Sequence, residues 1–297
     1  MISNINDITN IAINKGGVFS LLILKDQRIA SCSGDRAIRI FNSKTFKMEI
    51  EIIEHSNQIN FIAQLKNENL ISCSSDETIK IYKLFDNNSY KVEQTLNEHK
   101  LYVNKVIELN NNCLASSSYD RTIIIWEKNE NENYINKWII DEGYYVDNIL
   151  EINEHIFVYN NWNKELIFFD YVNCKEIKII KNVHCSHYNQ SFLKLNENVL
   201  LVGGLDFIYI IDLINYSILK QVNILDRAYC LNNLKENIIV VSEGTNLKFY
   251  KYVNEDLILV YEKKNIHNQN IIYIIKINER TIMTASYDSL IKIINLA

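Results

Sequence analysis

Three times along the chain a histidine, a hydroxyl residue and an aspartate recur at matched spacing: His55, Ser72 and Asp76; His99, Ser116 and Asp120; His267, Thr284 and Asp288. An imidazole held between a carboxylate and a hydroxyl is the apparatus of nucleophilic acyl transfer, in which the carboxylate orients the ring, the ring takes the proton and the oxygen attacks. The repetition argues against that use. An active site is normally built once, whereas a set that recurs at a fixed interval serves the repeated scaffold. A structural purpose is at hand, because a buried aspartate must find donors or bear a large desolvation cost.

A second group with chemical potential is His184, Cys185 and His187, the run HCSH on the loop leading into the fifth unit. A zinc site needs about four ligands in tetrahedral arrangement, and no second ligand pair stands elsewhere in the chain. The expected reading is a loop in which one histidine has a structural role, with no metal and no other cofactor. No glycine-rich phosphate loop, metalloprotease histidine pair or nucleophile elbow is present, so no catalytic residue is assigned.

The elements that carry these residues are set by a turn that recurs seven times: LKDQR at Leu24, LKNEN at Leu65, LNNNC at Leu109, INEH at Ile152, LNEN at Leu195, LKEN at Leu234 and INER at Ile277. Successive turns lie 39 to 44 residues apart, the spacing of β-propeller blades. Seven such units occupy nearly all of the 297 residues, so one domain over 1–297 is expected, with blades starting near 18, 59, 103, 146, 189, 228 and 271. Each unit reads as four short apolar runs separated by polar turns, the pattern of an antiparallel meander. The second is clearest: strands at 59–65, 70–74, 78–82 and about 91–96.

The seventh unit stops after its third strand, 290–296, while a spare strand containing Ile8, Ile11 and Ile13 precedes the first unit. Pairing residues 1–13 with the seventh blade would close the ring and remove an open sheet edge. The expected fold is therefore all-β: a seven-bladed β-propeller of four-stranded antiparallel blades, closed by the N-terminal strand pairing with the last blade.

Composition narrows function. The net charge is −5, with Lys and Arg scattered, unlike the basic stripe of a nucleic-acid binder. No apolar run approaches the roughly 20 residues that span a bilayer, and the N-terminus has no signal-peptide pattern. Neither nucleic acid nor membrane insertion is expected, and the cytoplasm is the expected location, with the nucleus also open to it. Cys32 and Cys73 sit at the same point of consecutive units and read as buried free thiols. Proline is absent and glycine occurs 7 times, so asparagines such as Asn110, Asn111 and Asn112 are expected to close the turns.

The third strands and the turns before them, SGDRAIRIF (33–41), SSDETIKIY (74–82), SSYDRTIIIW (117–126) and SYDSLIKII (286–294), resemble the WD-repeat propeller family. The resemblance is strong in units two, three and seven, fair in one and weak in four to six. It implies that His99, Ser116, Asp120 and Trp126 form one buried network, that His55, Ser72 and Asp76 form another with Tyr82 in place of Trp, and that His267, Thr284 and Asp288 form a third with Ile294 in place of the aromatic. Some members are ubiquitin-ligase receptors ending the third strand in Trp-Asp-x-Arg; Trp126, Glu127, Lys128 and Asn129 lack that arginine.

With the four strands of each blade lettered a to d in chain order, two positions in a blade of this kind point to the face formed by the loops between strands d and a and between b and c. The residues before strand a are Gly17, Gln58, Tyr102, Tyr145, Tyr188, Arg227 and Asn270; those before the turn Asp or its equivalent are Gly34, Ser75, Tyr119, Trp162, Leu205, Glu243 and Tyr287. Tyr102, Tyr119, Tyr145, Trp162 and Tyr188 fall on consecutive blades three to five, beside Arg227. Tyr, Trp and Arg dominate protein-binding hot spots, so these residues and Tyr287 are the candidate partner contacts. A bland alternative is that the aromatics merely cover their loops.

The expected function is a non-catalytic scaffold or adaptor docking peptides or loops of other proteins, monomeric by itself or within a larger complex. One rival is a structural subunit of a coat, cytoskeletal or ubiquitin-ligase complex. The other, a propeller-type enzyme, would need a unique polar cluster in the central channel, and none breaks the repeat.

Overall fold

The computed structural model describes residues 5–235 and 237–297. Met1–Asn4 of the expected closing segment and Glu236 lie outside the described residues, as do the side chains of Ile11 and Ile13. The chain forms seven four-stranded antiparallel sheets, each taking its strands in chain order except the last. There the N-terminal strand Ile5–Ile13 completes the sheet by pairing with Leu290–Leu296, from Ile5 opposite Leu296 to Ile13 opposite Leu290. This is the seven-bladed β-propeller class, with the N-terminal strand serving as the last blade's outer strand.

The chain divides into two compact units, residues 19–163 with 167–177, and residues 1–18 with 164–166 and 178–297. In the first, strands Ile29–Ser33, Leu70–Ser74 and Leu114–Ser118 are wholly buried, because a blade's second strand is covered on both faces. Their neighbours pack into cores that run from blade to blade: Ala30, Ile38 and Ile40 of blade one meet Ile59, Ile62 and Tyr82 of blade two. In the second unit, Cys230, Val240 and Phe249 of blade six pack with Ile274, Ile282 and Ile294 of blade seven and with Ile5.

The recurrent turn is also a clasp between neighbours. Lys25 N–H donates to Gln64 Oε1 at 2.8 Å, Lys66 N–H to Glu108 Oε2 at 2.6 Å and Asn110 N–H to Glu151 Oε1 at 2.8 Å. Lys66 Nζ then reaches three oxygens of the next turn, on Leu109, Asn110 and Asn112, at 2.9–3.0 Å. Asn111 and Asn112 close their turn as expected, Asn112 being left-handed at φ 65°. Asparagine mostly caps the turn from its side chain, as when Asn67, Asn111 and Asn278 each accept the N–H two residues on. The left-handed positions are often other residues, including Gln27, Glu68, Arg36, Glu77 and Arg121, with φ of 71–75°.

The first strand of blade five, expected to start near 189, spans Phe192–Asn196. The side-chain amide of Gln190 docks on the main chain of blade seven, donating to Ile274 O at 2.6 Å and accepting from Ile274 N at 2.8 Å. That pulls residues 188–191 out of the strand.

Candidate functional site

The three His–Asp sets have the bond order of a hydrolase triad. His99 Nδ1 lies 2.7 Å from Asp120 Oδ2 and Nε2 lies 2.7 Å from Ser116 Oγ; His55 makes the same contacts with Asp76 and Ser72, and His267 with Asp288 and Thr284. A carboxylate only accepts, so Nδ1 carries the proton and Nε2 accepts from the hydroxyl. What removes nucleophilic chemistry is the fate of that hydroxyl. Ser116 is fully buried, and its Oγ accepts the Trp126 indole N–H at 2.9 Å; Ser72 Oγ faces Tyr82 Oη at 3.3 Å. No substrate carbonyl can reach either oxygen.

The aspartates are held by converging donors. Burial alone would raise the Asp120 carboxyl, but hydrogen bonds from His99, Thr122 and Lys100 outweigh it and hold it well below the usual carboxylate range; Asp76 is held down in the same way by His55, Thr78 and Ser56. Burial also lowers His267, against the pull of Asp288. These sets therefore fasten the strand d to a loop onto the b–c turn.

Other blades fasten the b–c turn differently. In blade one Arg39 takes the histidine's part, with Nη1 2.9 Å from Asp35 and Nη2 2.8 Å from Glu51. In blade six the carboxylate comes from the strand: Glu243 accepts from Lys248 Nζ at 2.5 Å, Tyr250 Oη at 2.8 Å and Leu225 N at 3.3 Å. Glu243, expected on the displayed face, is thus buried; Ser75 of the same set is also buried.

The HCSH run does not converge on a point. Cys185 is buried and bridges to Gly204, His184 N–H donates to Tyr209 Oη at 3.1 Å, and His187 is exposed.

The aromatic candidates separate into two clusters. In the first unit Tyr119 and Tyr145 stack at 5.0 Å, Trp162 stands edge-on to both at 5.6 and 5.2 Å, and Tyr102 lies 6.0 Å from Tyr119. Two main-chain bonds position them: Tyr119 N–H to Tyr102 O and Trp162 N–H to Tyr145 O, both 3.0 Å. Each ties a residue before strand a to the one before the b–c turn of the same blade, so the paired positions share one surface. Tyr102 and Trp162 remain 44% and 46% exposed, while Tyr119 and Tyr145 are half-buried.

Tyr188 has ring partners within its own unit. In the second unit its ring packs against Tyr229 at 4.8 Å and Tyr287 at 6.3 Å, with its hydroxyl 3.2 Å from that of Tyr287. Gly17 makes this possible: a Cβ there would lie 2.8 Å from the Tyr287 ring. A second ring cluster is thus drawn from blades five, six and seven, with Tyr229 itself buried.

Sequence reasoning missed Tyr229, which occupies a strand position and so reads as core, and the exposed Leu101 and Tyr144 beside Tyr102 and Tyr145. It also missed Lys105, a buried lysine on strand a of blade three, whose Nζ donates to Asn148 Oδ1 at 2.7 Å and lies 5.3 Å from the Phe61 ring centroid. Burial pushes that ammonium down to about 7. The signal was available in the repeat, since the corresponding residues of neighbouring blades, Phe61 and Asn148, are uncharged.

Residues 46–83 and 90–127 match the family model described as WD domain, G-beta repeat. The chain carries WD repeats. Each matched stretch contains one complete network, His55 to Tyr82 in the first and His99 to Trp126 in the second. Blade seven reproduces their geometry outside the matched stretches. A search of curated proteins gave no match.

Proposed function

We propose that the protein is a non-catalytic interaction scaffold that docks peptides or loops of partner proteins on the surface formed by the d–a and b–c loops, with Tyr102, Tyr119, Tyr145 and Trp162 as anchors. WD-repeat propellers generally bind other proteins, and one observation carries the finer reading: four rings from two blades lock one another in place yet stay open to solvent. Such rings present large apolar area at little ordering cost on binding. The net charge of −5 supports protein over nucleic acid as the partner. Six free cysteines, five of them buried, support a reducing compartment such as the cytoplasm.

The test is a triple variant, Tyr102→Ala, Tyr145→Ala and Trp162→Ala, used as bait beside wild type. Loss of the captured partners with an unchanged melting temperature supports docking; an unchanged partner set removes the cluster from consideration.

A second reading, a fixed subunit of a larger assembly, is favoured by the outer strand Asp256–Lys263, where consecutive Ile258, Leu259 and Val260 are all exposed. Purification at native abundance distinguishes it: a fixed subunit elutes with its complex and not at the monomer position.

A further inference from the structure

We propose that Arg227, on its bed of two tyrosines, is the receptor for a glutamate or aspartate side chain of an acidic partner peptide. This rests on the scaffold reading above and specifies the chemistry of a second contact.

Arg227 sits on the loop between the outer strand of blade five, Ser217–Asn223, and the first strand of blade six, Ala228–Lys235. Its guanidinium lies 6.0 Å from the Tyr188 ring centroid and 5.7 Å from that of Tyr229. Polar contacts fix both rings: Asn270 Nδ2 donates to Tyr229 Oη at 2.6 Å, and the Tyr188 and Tyr287 hydroxyls meet at 3.2 Å. The cation is therefore positioned before any ligand arrives.

No carboxylate among the described residues answers it. Asp226 Oδ1 accepts the N–H of Arg227 itself at 2.7 Å, and its Oδ2 occupies the space that a Cβ on Gly244 would need. Glu243 is buried with Lys248 and Tyr250. A guanidinium is always charged and offers five N–H donors in a planar fork. Here the rings lie against it and Arg227 as a whole is half-exposed.

A carboxylate fits that fork by two parallel hydrogen bonds. The same loop holds out Leu225, 94% exposed, an apolar contact for a neighbouring residue of an extended peptide. The nearby acids Asp226 and Glu243 argue for a singly charged carboxylate over a phosphate dianion, since one arginine must offset the whole ligand charge.

The experiment uses the full chain on an array of immobilised 12-residue peptides, each in Glu, Gln and phosphoserine versions at one position, with affinities of the best binders measured by fluorescence anisotropy. Wild type is expected to prefer Glu over Gln about tenfold or more. Arg227→Gln, on an exposed loop, should keep its melting temperature and lose the preference; Arg227→Lys should keep part of it, having lost the fork.

The proposal is overturned if no peptide binds, if wild type shows no preference for Glu, if phosphoserine is preferred, or if R227Q keeps the wild-type ratio. The two readings fail separately. A Tyr102, Tyr145 and Trp162 variant that keeps all its partners refutes the anchors, whatever R227Q does.

Discussion

Replacing His99 by alanine tests the claim that the His–Asp sets are fasteners. The ring is nearly fully buried and bridges Asp120 and Ser116, each at 2.7 Å. Its removal deletes a charge-assisted bond, typically about 1.5–3 kcal/mol, and leaves a cavity, for which large-to-small changes of this size cost about 2–5 kcal/mol.

Two features keep the sum near the lower end. Asp120 retains Lys100 N–H at 2.9 Å and Thr122 N–H at 3.0 Å with its hydroxyl at 2.6 Å, and Ser116 retains the Trp126 N–H. The Ser116 hydroxyl loses its acceptor and can turn only to Ile124 O, 3.5 Å away. The expected loss is about 3 kcal/mol, or roughly 5–10 °C in melting temperature for a chain of this size.

The pH dependence has a definite sign. Burial opposes the Asp120 charge, but the bonds from His99 and its neighbours prevail and depress its pKa. A depressed carboxyl contributes stability that is present above its unfolded value, near pH 4, and is lost as pH falls through the folded value. Without His99 the depression shrinks, so the gap between wild type and variant should narrow only below about pH 4, as the variant's carboxyl protonates before that of the wild type. Urea titration followed by tryptophan fluorescence measures it. A loss below about 1 kcal/mol at pH 7, against the roughly 3 derived above, would refute the reasoning, as would a gap that widens in acid.

Deleting residues 1–13 strips the outer strand from the last blade and removes buried Ile5 from its core; the melting temperature should fall by about 10 °C or more, and a change within scatter by differential scanning fluorimetry rules out strand closure as a stabilising feature. Burial pushes the Cys230 thiol up to about 12 and raises Cys32 and Cys73, whereas Cys174 is exposed; a colourimetric thiol reagent should therefore titrate one fast equivalent in the native protein and the remainder only on unfolding.

Repetition made the networks of blades two, three and seven legible, because His, hydroxyl and Asp recur at the same spacing. Blades one and six solve the same problem with residues the pattern does not contain. Arg39 replaces the histidine in one; in six, Glu243 brings its carboxylate from the strand and not from the turn. A linear pattern cannot register that substitution, because the carboxylate and its donors keep their spatial relation while changing their place in the chain. Lys105 was hidden for a related reason: a charged residue in a strand reads as solvent-facing until its neighbours are seen to enclose it.

Hydrophobic runs, the seven turns and the matched His–Asp spacing determined the class of fold and the residues that fasten blades two, three and seven, since period and spacing are properties of the chain itself. Which aromatics meet was decided only by tertiary structure. Tyr188 follows Trp162 in the series of displayed positions, yet its ring packs on Tyr229 and Tyr287, brought from residues 41 and 99 positions away. Ring against ring is a contact in space, fixed by the glycine that admits Tyr287 and the hydroxyls that hold the rings, and no interval along the sequence encodes it.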